Sequence, residues 1–316
     1  MKKVLVTGSI AYDILLGYEG VFADVIDPKA LGSLSLSFFS PRYARRHGGT
    51  GANIAWGLKL LGIDPVLVGA VGNDGDEYVK KLKSAGIITE YIQVIDGSAT
   101  ATAIVNTDSR ENQIAFFHPG ADSHGQWPAE GLPSGEIAYG IVSARDTAAM
   151  VKGMEWCGRN KIPVFFDPGQ QLIAFSDDEL KHMVAVSAGV FVNEYEWEIL
   201  RKKINKKGLK GMEGWEGWEG LEGGESFVIV TLGDKGARII RRGGETEIPA
   251  FKAKKIVDPT GAGDAFRAGF LAGICEGKDI EEACRLGNAM GSIAVEREGT
   301  LLEGVKRGEV EMRIRN

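Results

Sequence analysis

The chain has 316 residues, 44% of them hydrophobic and 25% charged, with a formal net charge of −6, so it can bury a full core without staples. Acidic and basic residues are mixed along it, which argues against a nucleic-acid partner, since that would require a basic patch. No stretch reaches the ~18 apolar residues of a membrane span. Cys157, Cys275 and Cys284 lack zinc spacing and suit reduced thiols in the cytoplasm.

Residues 4–7 open the chain as a short apolar run, cut by Thr7, Gly8, Ser9 and Asp13. It reads as a buried first strand rather than a signal segment. Residues 14–46 hold the alternating piece SLSLSFF, which predicts a half-buried strand. A helix is predicted over 51–61, with Ile54, Leu58 and Leu61 on one stripe and Gly62 as its stop. The run 66–71 is a second buried strand. The helix over 76–85 turns Tyr78, Val79 and Leu82 inward, and Gly86 closes it.

Segment 97–118 breaks the alternation with TATAIVNT and NQIAFF, expected as antiparallel strands. Runs at 138–143, 164–167, 190–193 and 227–232 are continuous Val/Ile/Phe blocks, as expected of strands covered on both faces. Between helix and strand lies the tandem repeat of 208–225. Met212, Trp215, Trp218 and Leu221 recur there every three residues, each followed by Glu-Gly. It reads as a surface insertion, or as an apolar face for a partner. Together these elements predict one α/β domain over 1–316. Its three α/β/α layers enclose a mostly parallel sheet, and segments 14–46 and 97–118 form a small β-sheet lid.

The strongest chemical signal is DPTGAGDAF at 258–266. Small apolar residues at helical spacing follow it, so Gly261, Ala262, Gly263 and Asp264 sit at a helix N-terminus. Unpaired N–H groups and the helix dipole there favour an anion. An aspartate beside an anion would be repelled by it, unless it must take a proton from an attacking hydroxyl as a phosphoryl group arrives. Asp264 is therefore the candidate general base. The alternative is that GAGD is simply a tight helix entry. A dinucleotide fingerprint is disfavoured because Phe266 holds its third glycine position, and no GxxxxGK[ST] loop is present.

DPTGAGDAFRAGF is similar to the C-terminal signature of ribokinase-like (phosphofructokinase B) kinases, and GGTGANIA at 48–55 resembles their N-terminal signature. The resemblance implies an ATP- and magnesium-dependent phosphotransferase acting on an alcohol. It assigns the anion hole and base to 261–264. It gives Asn193 and Glu196, an Asn-x-x-Glu, a role in positioning magnesium and phosphates through water. A capping box is the local alternative for that pair. It places Thr231, Gly233 and Gly236 along the nucleotide and Asn288 near the adenine. Asp258 and Thr260 correspond to positions that hold a monovalent cation such as potassium in some members.

Asp13, just past the first strand, lies where open α/β sheets bind ligands, and one carboxylate can accept from two sugar hydroxyls. Gly49 and Asn53 would complete this acceptor cradle, a role the resemblance gives all three. SLSLSFF and NQIAFF look similar to adenosine and nucleoside kinases. Phe39 and Phe116 could stack on a base and Gln113 could bond its edge or the ribose, or the phenylalanines merely pack the lid. The expected acceptor is a nucleoside. The rival acceptors are ribose, fructose or a polyol, and a non-catalytic regulator on the same fold is a further rival. Pairing of two copies through the lid is also open.

Overall fold

The computed structural model describes residues 2–27, 29, 32, 35–128, 130–204 and 226–315; the repeat predicted as an insertion at 208–225 lies outside them. In chain order the first part is β1 (Lys3–Thr7), β2 (Ala11–Gly17), the short α1 (Phe22–Val25), β3 (Arg42–Gly48), α2 (Thr50–Leu60), β4 (Asp64–Val71) and α3 (Asp76–Ser84). Next come β5 (Ile92–Val94), β6 (Ala101–Thr107), β7 (Gln113–His118), β8 (Ile137–Ser143), α4 (Thr147–Arg159), β9 (Val164–Asp167), α5 (Asp177–Val186), β10 (Gly189–Asn193) and α6 (Glu194–Ile204). The last part is β11 (Phe227–Thr231), β12 (Gly236–Arg241), β13 (Gly244–Pro249), α7 (Ala262–Cys275), α8 (Ile280–Ala294) and α9 (Arg307–Arg315).

Among the described residues, nine strands form one sheet in the order β13-β12-β11-β10-β9-β8-β1-β4-β5. Pairing is parallel from β11 to β5, while β12 and β13 are antiparallel additions at one edge. Successive side chains on each strand point to opposite faces, and both faces are buried. Val4, Val6, Phe165, Phe191, Phe227 and Ile229 enter one core with α2, α3, α7 and α8. Leu5, Val164, Phe166, Val190, Val192 and Val228 enter the other with α4, α5 and α6. This is the three-layer α/β/α arrangement expected, and the double covering is why the strands read as unbroken apolar runs.

A second sheet has the order β3-β2-β6-β7. Its β3 and β7 are antiparallel to their neighbours and β2 pairs β6 in parallel. The strand expected at SLSLSFF does not form: residues 35–41 are irregular, and 33 and 34 lie outside the described set. The small sheet ends in β3 and β7, and residues 35–41 pair with neither outer edge. Phe38 instead packs edge-on against Tyr18 and Phe22, while Phe39 is 84% exposed. No described helix is long and apolar enough to cross a membrane.

Candidate active site

The parallel strands end along one edge, and most of the residues singled out above gather there. β1 runs out at Thr7, β8 at Ser143, β9 at Asp167, β10 at Asn193 and β11 at Thr231. After β1, Ser9 ties this edge to α2: its hydroxyl accepts from Thr50 N at 3.1 Å and its carbonyl from Gly51 N at 3.0 Å. Gly49, between β3 and α2, has φ 94°. A Cβ there would stand 2.6 Å from Ala11 N, so only glycine lets the turn lie against the start of β2. The buried Tyr78 hydroxyl of α3 donates to Gly48 O at 2.8 Å and fixes the turn from below.

α7 begins where the sequence placed it. Its N-cap Gly261 is left-handed, φ 79°, a conformation suited to glycine. A Cβ there would approach Thr300 at 2.9 Å. Phe270 seats the helix on the sheet, its ring centroid 5.5, 5.2 and 6.0 Å from those of Phe165, Phe191 and Phe227. The Ala262 N–H donates back to Pro259 O at 3.3 Å, so the first-turn N–H groups of Gly263 and Asp264 are the ones left to point out of a rigidly held helix end.

Asn53 Nδ2 donates to Asp264 Oδ2 at 2.7 Å, joining residues 211 apart in sequence. Asn53 Oδ1 is buried and has no hydrogen-bond partner, so one acceptor of this side chain is left unsatisfied. Burial pushes the Asp264 carboxyl up to about 7, with the Arg267 guanidinium and the Asn53 amide opposing and Asp167 and Asp13 adding to the rise. Burial also pushes Asp13 up to about 6, with Asp258 adding to it. Two carboxylates from β2 and α7 thus share one desolvated recess, the kind of environment that tunes acid–base groups.

At the ends of β10 and β11 the capping-box alternative is realised. Asn193 Oδ1 accepts from Glu196 N, and Glu196 Oε2 from Asn193 N, each at 2.8 Å. Burial raises the Glu196 carboxyl, and its second oxygen is outside the box. A single such oxygen fits a magnesium ion that keeps its waters better than direct multidentate binding. No group of three or more His, Cys, Asp or Glu is placed to hold a metal ion among the described residues.

Thr231 Oγ1 donates to Val192 O at 3.4 Å, and Gly233 (φ 61°) opens the turn to β12. Gly236 meets the end of β13, where Asn288 Nδ2 donates to Ile248 O and Pro249 O, each at 3.0 Å. Asp258 serves its own loop: Oδ1 accepts from Thr260 N at 2.9 Å and Oδ2 from Gly299 N at 3.2 Å.

The register of the small sheet corrects one assignment. Asp13 pairs Ala103, and Ala103 pairs Phe117, so these three share a face. Phe116 pairs Ile104 and points to the opposite face, away from Asp13. Gln113 shares the face of Phe117, with its amide 3.4 Å from Thr107 Oγ1. In a run of two phenylalanines the sequence does not say which one turns inward.

The sequence reading also passed over Arg267, Asp167 and Ser143, which form a buried chain beneath 261–264. The signal was a lone arginine in a helix otherwise lined by Ala265, Phe266, Ala268 and Gly269.

Comparison with known proteins gives a consistent picture. Residues 1–304 match the model of the pfkB family carbohydrate kinases. The chain is 33% identical over 317 aligned positions to a nucleoside kinase of Methanothermobacter thermautotrophicus, covering 99% of this chain and 95% of that one. It is 31% identical over 301 residues to a nucleoside kinase of Methanocaldococcus jannaschii, with 95% and 92% covered. The fold superposes on a Burkholderia thailandensis nucleoside kinase solved in complex with ADP-inosine, with TM-score 0.82 and 33% identity over 98% of this chain and 94% of that one.

Proposed function

The chain belongs to the pfkB family of carbohydrate kinases, and from that premise we propose that it transfers the γ-phosphoryl group of ATP to the primary hydroxyl of a nucleoside. The observation that carries this reading is the Asn53–Asp264 contact of 2.7 Å at the first turn of α7, in a recess shared with Asp13. The similarity to nucleoside kinases over nearly the whole chain favours a nucleoside over a free sugar.

Asp13 accepts from two ribose hydroxyls, and the Gly49 N–H and the unpartnered Asn53 Oδ1 hold the remaining sugar polar atoms. Asp264 takes the proton of the attacking hydroxyl. The N–H groups of Gly263 and Asp264 face the negative charge that grows on the transferring group, and the α7 dipole reinforces them. Asn193 and Glu196 would hold magnesium through water, which when bound neutralises phosphate charge. Thr231, Gly233, Gly236 and Asn288 border the nucleotide, and Gln113 with Phe117 faces the base. A potassium role for Asp258 and Thr260 rests on the family resemblance.

A parallel assay of ADP release with adenosine, inosine, cytidine, ribose and fructose tests the reading. Higher kcat/KM for at least one nucleoside than for either sugar is the expected result. Preference for a free sugar would replace the nucleoside assignment while leaving the kinase intact. No turnover on any acceptor would favour a binding protein.

A further inference from the structure

Arg267 lies on α7 one turn after Asp264, and only 7% of it is exposed. Its Nη2 donates to Asp167 Oδ1 at 2.6 Å, and its Nη1 donates to Gly263 O at 2.9 Å. Asp167, 3% exposed at the end of β9, accepts in turn from the Ser143 hydroxyl at 2.6 Å. The guanidinium carbon sits 5.5 Å from the Phe191 ring centroid. One side chain therefore joins the carbonyl of a first-turn residue, the ends of β8 and β9, and the aromatic floor.

A buried ion pair is a weak way to stabilise a fold, because desolvation of both charges offsets their attraction. Apolar replacements of similar volume are often as stable or more so. Stability alone does not account for an arginine on this helix, where every neighbouring position is small or apolar. Its location does. A Cβ at Gly263 would stand 2.9 Å from Arg267 Nη1, so a fixed positive charge lies against the first turn of α7.

We propose that Arg267 is a positioning residue for phosphoryl transfer: it clamps the first turn of α7 to the end of β9 and holds a cation beside the Asp264 carboxyl. The proposal rests on the reading of Asp264 as the base. The groups facing Asp264 are Asp13 from β2, Asp167 from β9, Tyr78 from α3 and the neutral Asn53 from α2. Burial and the two aspartates push its proton on; the Arg267 charge is what opposes them, together with the Asn53 amide. Without the cation the base would stay protonated through the neutral range.

The test is the pH profile of kcat/KM for the preferred acceptor, which reports groups of the free enzyme. It is run on the wild type and on Arg267→Met, Arg267→Lys, Asp167→Asn and Asp264→Asn, each checked for folding by thermal denaturation. Arg267→Met should move the acid limb up by about 1–3 pH units, the span that a nearby opposite charge commands. Arg267→Lys should return the limb toward the wild-type position with turnover still reduced, because the two-armed clamp is lost. Asp167→Asn should move the limb down, since one repelling carboxylate is gone. A purely structural arginine would lower activity equally at every pH.

Folded Arg267→Met or Asp167→Asn protein with an unmoved limb would overturn the proposal. If Arg267→Met fails to fold, the direction of the Asp167→Asn shift decides alone. Near wild-type activity in Asp264→Asn would remove the base and the proposal together, whereas an inactive Asp264→Asn with unmoved limbs would remove only the role of Arg267.

Discussion

Asp264 illustrates how one residue's chemistry conflicts with its fold. Burial pushes its carboxyl up to about 7 from the ordinary 3.8, so the fold favours its protonated form. The resulting destabilisation is absent below about pH 4, grows through the interval between those values and is complete above 7. Asp264→Asn removes the charge and keeps an oxygen that can accept from Asn53. Thermal denaturation should therefore show the variant more stable than wild type at pH 8.5, by about 2–4 kcal/mol after allowing for partial exposure to the cleft. At pH 4 the gain should vanish. Equal stability at both values would mean that the carboxylate is not desolvated. The placement of Asp13, Asn53 and Asp264 was legible in the sequence, because a strand end or a glycine-flanked helix start announces it. Arg267 was not, because its meaning depends on Asp167, 100 residues away.

Among the elements, legibility follows periodicity. The unbroken apolar runs became β1, β4, β8, β9, β10 and β11 within a few residues, since a strand covered on both faces leaves no polar positions to confuse the reading. SLSLSFF failed for the opposite reason. Alternation describes a strand's faces but not whether the segment pairs with an edge, and 35–41 joins neither outer edge of the small sheet. The pair Phe116–Phe117 failed more subtly, because register sets facing and register is a property of two strands. That correction has a consequence for binding. Phe117→Ala should raise the nucleoside KM about 5- to 100-fold, as loss of a base–aromatic stack would, while Phe116→Ala should change it little. The reverse ranking would mean that β7 presents its other face to the base.

At the scale of the molecule, the sheet's carboxyl edge is the device that assembles the site. Parallel pairing from β11 to β5 brings the ends of distant strands to one line, and α2 and α7 meet over it so that two glycine motifs become one recess. The small sheet supplies Asp13 from outside the main layers, so Asp13 and Asp264 reach the recess from different layers. The sequence showed the two motifs and their order, but only the packing of α2 beside α7 shows that Asn53 reaches Asp264.

Turnover of Asp264→Asn, with ADP binding followed in parallel by the rise it causes in melting temperature, tests the whole account most directly. The account predicts a kcat reduced roughly 10²- to 10⁴-fold, the usual contribution of a general base, with stabilisation by ADP retained because the backbone N–H groups of positions 263 and 264 remain. Turnover close to that of the wild type would contradict it.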